Sequence, residues 1–112
     1  MLAAVAALIA AGLAGAMTVP KLKGTVGPGY TISLKTLKGK AVKTLTASKY
    51  TFVVSDKSSA HNFTLTGPGI RNRTITGTGF TGTKTVTVKL KKGTYTYYCT
   101  VHPFVKGTFK VK

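Results

Sequence analysis

Cys99 is the only cysteine of this 112-residue chain, and His61 and His102 are its only histidines. One thiolate and two imidazoles are the equatorial set that copper takes in blue electron-transfer centres, a trigonal arrangement with at most a weak axial partner. The same set with an open fourth position also suits zinc. Cys99 and His102 share the run Tyr97-Tyr98-Cys99-Thr100-Val101-His102-Pro103-Phe104-Val105-Lys106-Gly107, while His61 opens His61-Asn62-Phe63-Thr64-Leu65. Alone, a core-facing His is more often a satisfied structural group than a ligand. A single Cys in an exported chain is a ligand, an intermolecular bridge or a buried thiol. The three together favour ligation of one ion per chain, and they suffice for one site only.

The elements that must position these donors read as strands. Thr, Val and Gly dominate and Trp is absent, a composition that suits a sheet better than a helix. Tyr30, Ile32 and Leu34 alternate with polar residues, and Lys38-Gly39-Lys40 ends that segment. Val42 to Leu45 and Tyr50 to Ser55 follow, with Tyr50, Phe52 and Val54 on one face. Asp56, the single acid, opens a turn whose amides it is suited to cap. His61, Phe63 and Leu65 share a face. Residues 67–82 read as a long connection holding one short strand, Thr74 to Thr78. Val86, Val88 and Leu90 alternate cleanly, and Lys91-Lys92-Gly93 is expected to turn that strand as a hairpin into Thr94 to Cys99. Tyr95, Tyr97 and Cys99 point inward, with core packing favoured over redox relay for the tyrosines. Phe109 and Val111 close the chain in a last strand. The expected fold is all-β, a Greek-key sandwich of seven or eight strands.

Gly93-Thr94-Tyr95-Thr96-Tyr97-Tyr98-Cys99-Thr100-Val101-His102-Pro103-Phe104-Val105 resembles the ligand loop of the cupredoxins, most closely the short loop of the amicyanins within the wider plastocyanin-like group. His61-Asn62-Phe63 is similar to the family's other ligand segment. The resemblance covers about residues 25 to 112, the size of one ordinary domain. It implies a secreted mononuclear blue-copper protein, not an enzyme, that carries single electrons through His61, Cys99 and His102. Together with the Irving–Williams order it favours copper over zinc. It further implies that the exposed edge of His102, set among apolar residues, is the electron's exit. Asn62 and Thr100 would tie the two ligand loops together, with the Asn62 amide donating to the Cys99 sulfur and a second amide, at Val101, within reach. In one respect the chain departs from that pattern. Where the amicyanins place an axial Met this chain has Val105, and its only two Met, Met1 and Met17, are far away in sequence. Copper would then sit in a three-coordinate plane, with the Ala60 carbonyl as a distant partner, or the site has been modified or lost.

Met1 to Ala16 is an apolar run ending Ala14-Gly15-Ala16, which fits a signal peptide cleaved after Ala16. No basic residue precedes it, so a natural start upstream of Met1 stays open, as does an uncleaved anchor. Residues 17–24 would be a short linker and 25–112 the copper-binding domain, in the periplasm, at the cell surface or outside the cell. Seventeen Lys and Arg against one acid give a formal charge of +16. Such a field draws anionic partners, an acidic redox protein or an anionic envelope surface. The scatter of Lys over strand exteriors, without interleaved stacking aromatics, argues against nucleic acid. The alternative function is a cationic, non-catalytic immunoglobulin-like surface or copper-storage module that binds acidic polymers. A monomer is expected.

Overall fold

The computed structural model describes residues 18–112, so the run of residues 1–16 that reads as a signal peptide lies outside the described residues. Nine strands are present among these residues, and none of them is helical. In chain order they are β1 (Lys21–Val26), β2 (Ile32–Thr36), β3 (Thr44–Leu45), β4 (Ser48–Asp56), β5 (Phe63–Gly67), β6 (Ile70–Thr76), β7 (Gly82–Leu90), β8 (Gly93–Tyr98) and β9 (Lys106–Val111). They form a four-stranded sheet, β2-β1-β4-β7, and a five-stranded sheet, β3-β9-β8-β5-β6. The β1/β4 and β3/β9 pairs are parallel and the other pairs antiparallel. This is a cupredoxin-like sandwich, with nine strands in place of the seven or eight expected. The addition is β1, which includes residues 21–24 of the supposed linker; the two-residue β3 lies within the expected Val42 to Leu45 segment.

The core lies between the sheets and follows the period-two pattern. Tyr50, Phe52 and Val54 of β4 stand beside Val88 and Leu90 of β7 in one sheet, and Tyr95 and Tyr97 of β8 beside Phe109 and Val111 of β9 in the other, all buried. Phe63 and Tyr97 stack with ring centroids 5.6 Å apart and nearly parallel planes, and Tyr95 and Phe109 do so at 5.4 Å. Packing is therefore the role the structure gives these tyrosines, with stacked pairs adding about 0.5–1.5 kcal/mol beyond area burial. The Tyr95 ring lies directly over Gly67, where any side chain would collide with it. Its hydroxyl donates to the Pro68 carbonyl (2.7 Å) and accepts from the Lys91 amide (2.9 Å), locking the strand ends opposite the site.

Two local expectations are corrected. The β7–β8 connection is not a hairpin, because β7 pairs with β4 in one sheet and β8 with β5 and β9 in the other. Lys91-Lys92 therefore carries the chain across the sandwich, and Gly93, at φ 139°, makes the corner in a backbone region closed to other residues. Residues 67–82 are not a long connection either. Gly67-Pro68-Gly69 is a tight turn between paired β5 and β6, and only residues 77–81 remain irregular before β7.

Candidate metal centre

Strand directions bring four connections to one end of the sandwich: residues 27–31, 57–62, 77–81 and 99–105. The second supplies His61 and the fourth supplies Cys99 and His102. Cys99 follows β8 directly, and its amide donates to the Val105 carbonyl (3.0 Å), while the Val105 amide donates to the His102 carbonyl (2.8 Å). These two bonds close the 99–105 segment into a tight loop with Val105 buried beneath it. Asp56 shapes the other loop: its Oδ1 accepts from the Ser58 amide (3.0 Å), the capping role expected of it. The Ser58 carbonyl in turn accepts from the His61 amide (3.3 Å), and Ala60, exposed in the same turn, donates its amide to Ser58 Oγ (3.2 Å).

The ligating atoms of His61, Cys99 and His102 lie within 4.8 Å of one another. Cys99 Sγ is 3.6 Å from His61 Nδ1, which is 3.1 Å from His102 Nδ1. A structural histidine normally gives its Nδ1 proton to a carbonyl or carboxylate; here both Nδ1 atoms face the other donors instead. Donor atoms that share one ion through bonds of about 2.0–2.3 Å stand about 3–4 Å apart, as these two pairs do. Cys99 is fully buried and His61 nearly so, while His102 is half-buried. The residues present fit a copper-type ion: soft sulfur, two imidazoles, and surroundings that exclude water from the thiolate.

Asn62 organises the space between the loops. Its amide donates to Cys99 Sγ at 3.4 Å, as expected from the resemblance. Its buried side chain uses its full capacity, donating to Thr78 Oγ1 (3.0 Å) and Thr100 Oγ1 (2.7 Å) and accepting from the Thr100 amide (3.1 Å) and Thr64 Oγ1 (2.9 Å). The tie to Thr100 was anticipated; the third loop, held through Thr78, was not. No hydrogen bond from the Val101 amide to the sulfur is found among the described residues.

Tyr30 is the residue that alternation misplaced. It does not join Ile32 and Leu34 in β2 but stands in the 27–31 turn, 64% exposed, with its ring edge-on to His61 (5.2 Å) and His102 (4.9 Å) and tilted against Phe104 (5.6 Å). The available signal was Gly27-Pro28-Gly29 just before it, a turn that halts strand alternation. Tyr30, Val101 and Phe104 form an exposed apolar collar around the half-buried His102.

No family model matches the sequence, and no curated protein matches it either. Solved structures do match. The copper protein rusticyanin is similar at 18% identity and a TM-score of 0.57, covering 82% of this chain and 76% of its own. Reduced rusticyanin matches at 21% identity and a TM-score of 0.54, over 82% and 78%, and rusticyanin from Thiobacillus ferrooxidans at 22% and 0.52, over 82% and 76%. At these identities the likeness establishes the fold: this chain is built as a cupredoxin-like β-sandwich, with a His-Cys-His cluster at one end.

Proposed function

We propose that the protein binds one copper ion through His61, Cys99 and His102 and carries single electrons between redox partners. The observation that carries this reading is the convergence of both Nδ1 atoms and the thiol, from two loops pinned by Asn62. Copper bound there would supply a one-electron couple with the cysteine as thiolate. The chain's own contribution is a frame closed before metal arrives, which limits rearrangement between oxidation states. The half-buried His102 inside the apolar collar is the contact point for a partner, and Lys57 and Lys106, the lysines at this end, attract an acidic redox protein toward it. If the likeness to amicyanin loops holds, Val105 would stand where those loops carry a thioether, and the Ala60 carbonyl would be the remaining candidate for a weak further contact. Export, signalled by the apolar run before Thr18, suits a copper carrier. A catalytic role has little support, since one such cluster is present among the described residues and a copper enzyme needs further ligands.

The test is a visible spectrum of the protein after one equivalent of Cu(II). An intense blue band that ascorbate bleaches and an oxidant restores, absent from Cys99→Ser, is the expected result. A colourless protein that gains no thermal stability from copper overturns the reading and favours the cationic surface module.

A further inference from the structure

All seventeen Lys and Arg are exposed, and the single acid, Asp56, is buried. The cations are not evenly spread along the strand axis. At the His-Cys end, residues 27–31, 57–62, 77–81 and 99–105 contain one, Lys57. At the opposite end, the 37–43 connection holds Lys38, Lys40 and Lys43, the β7–β8 crossing holds Lys91 and Lys92, and Lys112 follows β9. Next to this pole, Lys23 of β1 stands directly opposite Lys35 of β2. Like charges so placed repel, and no exposed acid relieves them.

Two further features of this pole select the partner. Leu37 begins the 37–43 connection 66% exposed, between Lys35 and Lys38. Beside it lies a groove of about 360 Å³ lined by Lys23, Lys35, Ser33, Thr36 and Leu37. An acidic polymer needs the lysines only, whereas a lipid surface offers phosphates to the cations and an apolar layer to Leu37. The chain also enters β1 from this pole. We propose that this pole docks on an anionic phospholipid surface, with Leu37 dipping among the head groups and the His102 end facing away. Each lysine near such a surface is worth roughly fivefold in partition, since the attraction is on the order of 1 kcal/mol per charge.

Co-sedimentation of the whole chain with phosphatidylcholine vesicles, with and without phosphatidylglycerol, tests this and needs no metal, so its failure is separate from failure of the copper reading. The expected result is salt-sensitive preference for the anionic vesicles. Lys38→Gln, Lys40→Gln, Lys91→Gln and Lys92→Gln combined should lower it on the order of a hundredfold or more. Leu37→Asn should weaken vesicle binding several-fold while leaving binding to soluble polyphosphate unchanged. All five side chains are exposed, and thermal unfolding of each variant verifies that the fold is kept. Equal binding to neutral vesicles, no loss in the fourfold variant, or an equal loss from Lys57→Gln with Lys106→Gln at the other end overturns the proposal. Unchanged vesicle binding by Leu37→Asn also overturns it, in favour of an acidic polymer.

Discussion

Asn62→Ala removes four side-chain hydrogen bonds at once and leaves the backbone donor to Cys99 Sγ in place. At a net of about 1 kcal/mol each, the four bonds set a ceiling near 4 kcal/mol. Thr78 and Thr100 are exposed and regain water, and Thr64 Oγ1 keeps its bond to Thr74 Oγ1 at 3.1 Å. The expected loss is therefore about 2–3 kcal/mol, equivalent to a fall in Tm of roughly 10–20 °C for a domain of this size. Urea unfolding of the metal-free protein measures it, with an unchanged slope showing that the two states themselves are unaltered. A cycle with Thr100→Ala isolates the 2.7 Å bond, because that variant keeps the Thr100 amide; coupling of about 1 kcal/mol is expected. A loss under about 0.5 kcal/mol, or no coupling, would refute the view that Asn62 holds the loops together.

Val105→Met should lower the reduction potential of the copper form if Val105 occupies the axial position; an equal or higher potential counts against it. Tyr30→Ala strips the edge-on ring from both histidines, so copper should pass to a competing chelator faster while stability changes by less than about 1 kcal/mol. An unchanged release rate would mean that Tyr30 does not shield the site. Gly67→Ala drives a methyl into the Tyr95 ring, whose hydroxyl is fixed at both Pro68 and Lys91, and should cost about 1–3 kcal/mol in thermal or urea unfolding. Burial raises the Tyr97 phenol above its ordinary 10.0, against a smaller lowering from the Leu34 backbone. The folded state then keeps this proton longer than the unfolded chain. The associated stability is complete below pH 10 and is lost as pH rises through the folded value. Urea unfolding in alkali, compared with Tyr97→Phe, should show the shallower decline in the variant.

Strand parity was legible where bulky side chains alternate on the core face; β1 also has neighbours on both sides, but Gly24 interrupts its inward row between Leu22 and Val26, and it was missed. Tyr50, Phe52 and Val54, or Tyr95, Tyr97 and Cys99, could be assigned inward from alternation alone, and all are buried. Most of β6 escaped, with only its end inside the expected Thr74 to Thr78 strand, because four consecutive residues, Arg71 to Thr74, are exposed and leave no period-two signal. The β7–β8 crossing escaped for a different reason, since a short Gly-containing connection looks the same whether its strands pair or separate, and only distant partners decide. At the site the three donors were legible by residue type. Their convergence depends on loop closures set by Val105, Ser58 and Thr78, which leave no local pattern. Tyr30 was lost because two apolar residues in phase after it suggested a strand that starts two residues later.

The separation of charge from the metal end has an electrostatic consequence. β4 spans nine residues, about 30 Å at 3.3 Å per residue, so the cationic pole stands nearly four Debye lengths, of about 8 Å each, from His102 at physiological salt. Over that distance the pole is screened from the site, and the potential of a bound ion answers to the sulfur's hydrogen bond, the burial of Cys99 and the nearer Lys57 and Lys106. The pole acts on whatever approaches its own end. Neutralising Lys38, Lys40, Lys91 and Lys92 should therefore alter where the protein docks while leaving the potential unchanged, and a potential that moved with those charges would show that the two ends are coupled through the sandwich itself.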